Sequence, residues 1–407
     1  MHKLRDVLLG PTRAVAVLSF TEILAWGILI YPPVLTVPHI AAAHDWSFAF
    51  GMAGLSIALI VSGLLSPTAC GLIDRHGGNW VMAAGACSAA IGLAGIAFAD
   101  HPIAYLACWI FVGAGMATNL YDPAFATLTR IFGATARRQI TFVTFAGGFA
   151  STVGWPATHL LLEHLGWRGT YLVFAAIFAG VIVPLHVIAL PRSKSSPAHD
   201  QLIHAEAQRQ IYLPSRGWPF VLMAAAFTLY AFLLSGVTSN LLAMLERSGI
   251  ASATAVTIGA LFGPSQVAAR LGDFVFAGRT TPLWIARAAV STVTAAFAML
   301  ALSGISTPAA MAFAIMFGAS NGVITIARGA LPLMLFGPEG YGRVIGRIAR
   351  PALIFQALAP FAVASAAAYL SDRTVLEMAT VLAVAVLICL VALRPPAQSA
   401  ISRTTRR

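Results

Sequence analysis

The chain has 407 residues, 59% of them hydrophobic and only 10% charged, with a mean hydropathy of +0.84. A soluble domain carries roughly 25% charged residues because its surface must meet water. This composition excludes a water-soluble globule, and lipid must solvate most of the chain. The net charge of +11 does not indicate a nucleic-acid partner, because the basic residues fall in alternate loops.

A helix needs about 20 apolar residues to cross the bilayer core. On that criterion the predicted spans are residues 14–38, 48–70, 80–99, 103–129, 140–162 and 170–190. After a polar gap come 218–243, 253–275, 283–304, 308–335, 347–370 and 375–394. The expected fold class is therefore all-α integral membrane with twelve transmembrane helices. No secretory signal precedes the first run, so it counts as a helix. Counted by alternate loops, one side collects 20 of the 25 Lys and Arg, including Arg137, Arg138, Arg343, Arg347 and the Arg406-Arg407 tail. The other side has Arg168, Arg247 and Arg373, which places both termini in the cytoplasm by the positive-inside rule. The chain holds no Asn-x-Ser/Thr sequon, in keeping with a bacterial cytoplasmic (inner) membrane. Cys70, Cys87, Cys108 and Cys389 lie inside apolar runs and read as small buried hydrophobes. No metal and no cofactor is expected.

The longest polar stretch, residues 191–217, reads as a solvated linker between an N-terminal six-helix bundle (1–190) and a C-terminal one (218–407). Its His199 and His204 do not have the spacing of a helical chelate. The halves echo each other: Gly113-Ala114 recurs as Gly318-Ala319, and Phe132-Gly133 as Phe336-Gly337. A six-plus-six repeat is a transporter architecture with the substrate site between halves, near the midplane. The chain is expected to act as a monomer.

After span 2 the sequence reads Gly71-Leu72-Ile73-Asp74-Arg75-His76-Gly77-Gly78. This resembles the loop signature of the major facilitator superfamily, Gly-x-x-x-Asp-Arg-x-Gly, with Gly71, Asp74, Arg75 and Gly78 in matching positions. The trailing basic residues of the signature are replaced by Asn79 and Trp80. Glycines here suit a tight turn and close helix approach. The resemblance implies that Asp74 and Arg75 help to latch the cytoplasmic gate. The second-half counterpart, Asp273 to Gly278-Arg279, is degenerate, and Gly166-Trp167-Arg168 resembles another element of the superfamily.

Four ionisable residues lie deep in predicted spans: Glu22, Asp122, Arg270 and Arg328. Each costs about 2.5–3.5 kcal/mol at a helix centre unless paired, solvated or functional. Counted from Arg13, Arg130, Arg279 and Gly337 at the cytoplasmic side, all four sit eight or nine residues deep, roughly 12–14 Å at 1.5 Å per residue. They can form two internal salt bridges, or a substrate and coupling site. Asn321, Thr325 and Arg328 share one helix face at i, i+4 and i+7; Gln266 and Arg270 share another, and so do Asn119 and Asp122. Pro123, Pro332 and Pro360 free the carbonyls of Asn119, Arg328 and Gln356, as expected where a helix lines a cavity. Pro32-Pro33 is expected to bend the first span beyond Trp26 and Tyr31.

An Arg in span 8 above the second-half gate loop resembles the monocarboxylate transporters and the oxalate/formate antiporter of the superfamily. That resemblance implies carboxylate recognition by Arg270, a task suited to a planar fork of donors. Asn119-Leu120-Tyr121 also resembles substrate-side residues of that group, and Gln266 stands where the group often has Asp. The expected function is alternating-access secondary transport of a small anionic solute, proton-coupled through Glu22 with Asp122 as a structural partner. Drug efflux is the alternative, although span 5 (Gly147-Gly148, then Gly154-Trp155-Pro156) lacks the Gly-Pro motif of drug antiporters. A transporter-like membrane sensor is the alternative of another class. No His-Glu-x-x-His or Gly-x-Ser-x-Gly motif points to an enzyme.

Overall fold

The computed structural model describes residues 12–191, 217–276 and 280–394. Most of the expected linker, Gly278 and Arg279, and the Arg406-Arg407 tail lie outside the described residues. The N-terminal helices are α1 (Thr12–Leu29), α2 (Pro32–His44), α3 (Phe48–His76), α4 (Gly78–Phe98), α5 (Pro102–Asn119), α6 (Tyr121–Phe132), α7 (Arg137–Gly147) and α8 (Ala150–Ile177). Helix α8 runs on through π turns at Phe178–Ile182 and Leu185–Ala189. The C-terminal helices are α9 (Trp218–Arg247), α10 (Ser252–Ala260), α11 (Phe262–Phe276), α12 (Pro282–Ser303), α13 (Thr307–Phe336), α14 (Tyr341–Tyr369) and α15 (Asp372–Ala392).

Local sequence explains where these helices start and break. Ser47, Thr281 and Ser371 accept a backbone N–H two or three positions into α3, α12 and α15. Pro32-Pro33 start α2 after a break at Ile30-Tyr31, as the sequence predicts. A sharper interruption separates α5 from α6, where Leu120 is extended (φ −99°, ψ −171°) and Pro123 follows in the first turn. Gly166 has φ +64° and ψ −179° inside α8, a left-handed backbone that glycine adopts without steric cost.

Nine helical stretches among the described residues are long and apolar enough to cross a membrane. One of them, Pro102–Ala189, runs 88 residues, because several predicted spans join through tight turns rather than loops. Predicted span 8 is cut at Leu261 into pieces of 9 and 15 residues, each too short to meet the criterion alone. The outer surface is apolar along the helices, with Ile91, Ile103, Val381 and Ile388 all largely exposed. Trp80, Trp218 and Trp284 are exposed within the first turns of their helices, where an interfacial aromatic belt places tryptophan.

Small residues set the helix spacing. A Cβ on Gly113 would come 2.6 Å from the Ala58 carbonyl of α3, and one on Gly318 would come 2.8 Å from the Phe262 carbonyl of α11. The repeated Gly-Ala pair thus makes equivalent close contacts in the two helix sets. Contact between the sets is concentrated at one end. It joins α3 and α6 to α14, α7 to α11 and α13, and α6 to α13. Asp74 lies at the end of α3, where Arg130 near the end of α6 bonds to its carbonyl, and α7 follows α6 closely. Helices α1, α2, α5 and α8 make no comparable contact with α9–α15. The two sets are therefore closed together at the Asp74 end and part toward the other. At that other end Arg168 donates to Asp100 at 2.6 Å and holds this exposed carboxyl below its usual range.

Candidate functional site

The break at Leu120 turns α6 so that Asp122 occupies its first turn, where the helix dipole favours an acidic side chain. Asp122 Oδ2 accepts a hydrogen bond from Arg328 Nη2 of α13 at 2.7 Å. The pair joins an N-terminal helix to a C-terminal one and is largely withdrawn from solvent, Asp122 more than Arg328. Asp122 Oδ1 and Arg328 Nε make no hydrogen bond, so each partner keeps capacity in reserve. Along α13, Asn321, Thr325 and Arg328 are half-buried while Gly322, Ile324, Ile326 and Ala327 are buried. The Thr325 hydroxyl donates to the Asn321 carbonyl at 2.8 Å.

Arg270 of α11 is only 4% exposed. Its Nη1 donates to the Thr144 carbonyl at 3.0 Å, Nε to the Gly322 carbonyl at 3.3 Å, and Nη2 to Gln266 Oε1 at 3.5 Å. All three partners are neutral oxygens, and no carboxylate pairs with this cation among the described residues. Glycines make the room: a Cβ on Gly148 would come 2.5 Å from Arg270 Nη1, and one on Gly147 would come 2.5 Å from the Tyr121 hydroxyl. The Tyr121 hydroxyl donates to the same Thr144 carbonyl at 3.5 Å. Its ring lies between Trp26, at a centroid distance of 4.9 Å, and Phe125, at 5.5 Å.

Glu22 of α1 is fully buried, and neither carboxyl oxygen makes a hydrogen bond. Trp26, one turn further along, leaves its indole N–H unpaired as well. Of the two salt bridges the sequence allows, the structure forms the Asp122–Arg328 pair and leaves Glu22 and Arg270 apart. Asn119 turns back on its own helix, donating to the Gly115 carbonyl at 3.1 Å and to Thr118 Oγ1 at 2.9 Å, with its own Oδ1 unpaired. The carbonyl of Gln356, freed by Pro360, accepts a hydrogen bond from Ser235 of α9 at 2.8 Å.

At the closed end Asp74 reaches across the interface. Its Oδ1 accepts from the Gly342 N–H and its Oδ2 from the Arg343 N–H, both at 2.8 Å, capping the first turn of α14. Arg130 Nη1 donates to the Asp74 carbonyl, and Arg137 Nη1 donates across the interface to the Thr280 carbonyl at 2.9 Å. Arg75 takes no part in this latch; it lines an open cleft of about 170 Å³ with Arg343. A Cβ on Gly71 would meet nothing within 4 Å, so it is not a point of close approach. The turn falls to Gly77 (φ +85°), and the close approach to Gly78, where a Cβ would collide with Thr127. Cys70 is buried under the latch, but Cys87 is exposed on the outer surface rather than buried.

The Thr144 and Gly322 carbonyls are the contacts that sequence reasoning missed. A main-chain oxygen leaves no residue-type signature; the Gly147-Gly148 pair beside Thr144 is the nearest legible sign of a close approach.

Residues 15–349 match the sequence profile of the Major Facilitator Superfamily. The chain belongs to this superfamily. Among curated relatives it is 34% identical to human Monocarboxylate transporter 11 over 162 residues, 39% of this chain and 33% of the relative. It is 24% identical to Monocarboxylate transporter 4 of Rattus norvegicus over 220 residues, 53% of this chain and 44% of the relative. The matches therefore span less than half the length of these relatives. Among solved structures, the human organic anion transporter MFSD10 (TETRAN) superposes with a TM-score of 0.73 at 17% identity, covering 93% of this chain and 99% of that one. A variant of the E.coli Fucose:proton symporter FucP also gives 0.73, at 12% identity over 94% of this chain and 98% of that one. At such identities the likeness shows the fold alone. As a member of the superfamily the protein is a multi-pass membrane transporter, not an enzyme.

The Asp122–Arg328 pair makes a direct prediction for stability. Removing one member strands a charge, at a cost of about 3–5 kcal/mol, whereas removing both can be nearly neutral. Asp122→Leu is expected to lower the thermal unfolding temperature in detergent, and Asp122→Leu with Arg328→Met to recover most of that loss. Equal destabilisation by the single and double variants counts against a structural ion pair.

Proposed function

We propose that the protein carries a small organic anion, a carboxylate, with Arg270 as the anchor for its charge. The observation that carries this reading is the Arg270 guanidinium, buried among neutral oxygens with no carboxylate paired to it among the described residues. Carbonyl dipoles orient a guanidinium without cancelling its charge, and its planar fork matches both oxygens of a carboxylate. Tyr121, Gln266, Asn321 and Thr325 supply polar groups nearby, and the names of the curated relatives support the same class of solute.

Charge bookkeeping supports proton coupling. Asp122 and Arg328 cancel one another, which leaves Arg270 and Glu22. A carboxyl buried without a partner is costly to ionise. With Glu22 neutral, Arg270 awaits an anion, so a proton on Glu22 and an anion on Arg270 together leave the interior near neutrality. Asp122 then serves as the standing partner of Arg328. The latch supports the alternating-access reading: the two helix sets are closed at the Asp74 end, and release there would require Asp74 to leave α14.

The loop charges support twelve crossings with both termini in the cytoplasm, a bundle of residues 1–190, a linker at 191–217 and a second bundle at 218–407. The Asp74 end is then the cytoplasmic one. The same charge bias and the lack of sequons fit a bacterial cytoplasmic membrane.

In proteoliposomes, Arg270→Lys keeps the charge but loses the fork, and is expected to lower uptake of the transported carboxylate about 10–100-fold at subsaturating concentration. Normal uptake by Arg270→Ala would leave Arg270 as a packing residue. Glu22→Gln is expected to abolish accumulation driven by a pH gradient while sparing exchange at equal pH. If that variant still concentrates substrate under a pH gradient alone, Glu22 is not the proton carrier. For orientation, single cysteines at Trp218 and Arg247, the two ends of α9, should react with an impermeant maleimide from opposite sides, Trp218 only from the cytoplasm. Labelling of both from one side rules the topology out.

A further inference from the structure

The latch and the deep ion pair belong to one closed circuit of contacts. Asp74 at the end of α3 caps α14 through the N–H groups of Gly342 and Arg343. The preceding residue, Tyr341, is the first of that helix and is almost fully buried. Its hydroxyl donates to the Gly329 carbonyl of α13 at 2.7 Å. Gly329 follows Arg328, which pairs with Asp122 of α6 at 2.7 Å. Two turns along α6, Arg130 donates to the main-chain carbonyl of Asp74 and closes the circuit. The circuit passes through four helices and crosses between the N-terminal and C-terminal sets twice, at the Asp74 cap and at the ion pair.

Such a ring cannot open at one crossing while the other stays closed unless an arm between them yields. The α6 arm is a continuous short helix. The other arm depends on Tyr341, because the tight turn between α13 and α14, from Gly337 to Gly340, holds two glycines with φ of +80° and +64°. Around Gly329 the packing is close: a Cβ there would come 2.8 Å from Ile140 and Phe125. The carbonyl that Tyr341 grips is therefore held by the same contact that seats Arg328 opposite α6.

We propose that Tyr341 is a positioning residue that couples the Asp122–Arg328 ion pair to the Asp74 latch, so that loosening the pair releases the closed end. Tyr341 acts through Gly329 and the start of α14. The consequence for transport rests on the carrier reading: a step of the transport cycle that loosens this standing pair would also open the Asp74 end. The link itself stands on the contacts alone.

The test reads the parting of the helix sets at that end. Spin labels at His76 and Trp218, both exposed and on opposite sets, are introduced into the full-length protein with its four cysteines replaced by alanine, and their distance distribution is measured in lipid nanodiscs. Asp74→Asn supplies the reference for an opened latch. Tyr341→Phe, which removes one hydroxyl, is expected to raise the open-to-closed ratio about fivefold, the scale of one hydrogen bond. Asp122→Asn should raise it as well. Because both act on one circuit, the double variant should be no more open than the stronger single variant, a non-additivity that a merely structural tyrosine would not show. A parental distance distribution in Tyr341→Phe, or ratios that multiply in the double variant, overturns the link. Uptake by Arg270→Lys is independent of this readout, so failure of the link and failure of the anion reading are told apart.

Discussion

A charge held inside a membrane protein has to find its opposite within the protein, and for Asp122 that opposite lies on the other set of helices. The ion pair with Arg328 spans 206 residues of sequence, and much of the surrounding architecture serves to bring its members together. The extended residue at Leu120 starts a fresh helix so that Asp122 falls in its first turn. Gly329 lets α13 settle against Phe125 and Ile140 at Arg328's level. With the pair formed, α6 is held to α13, α14 packs against α3, α6 and α13, and Asp74 caps the start of α14.

The two arginines set within the helices, Arg270 and Arg328, illustrate how neighbours divide roles between like residues. Arg328 meets a carboxylate and is balanced. Arg270 meets two main-chain carbonyls and one amide oxygen, which hold its plane but leave its charge uncompensated. Without a hydrophobic drive between helices in lipid, small residues permit the close packing that holds them together. Gly147, Gly148 and Gly322 do so around Arg270: a side chain at any of them would meet Tyr121, Arg270 or the α11 backbone. The glycines therefore shape the site as much as the polar residues do.

Much of this was legible beforehand. Pro360 foretold a freed carbonyl at Gln356, and Ser235 now bonds to it. The i, i+4, i+7 spacing of Asn321, Thr325 and Arg328 foretold one face, and these residues keep partial exposure on a largely buried stretch of α13. The recurring Gly-Ala pair was a sign of internal repetition; that both glycines sit in close contacts, Gly113 against α3 and Gly318 against α11, came from the structure. The gate signature was read with less resolution. Asp74 is the latch, while Arg75 and Gly71 line an open cleft, where a side chain in place of Gly71 would meet nothing. Residue type alone does not distinguish a glycine that permits contact from one that meets open space.

Composition, hydropathy period and loop charge are sums over local sequence, and lipid as solvent makes them decisive. A long apolar chain with few charges can only be a bundle of membrane helices, and an ionised residue within a span must be exceptional. The sequence by itself therefore determined the helical membrane class, the candidate gate loop and the four residues that had to be explained. Which of those four pair was decided only by tertiary structure. Four charges at one depth allow more than one pairing, and the choice depends on helix rotation, on a break at Leu120 and on glycine contacts of a few ångströms. The same holds for the Thr144 carbonyl beside Arg270, since every residue carries a carbonyl and only packing selects the one that faces a guanidinium.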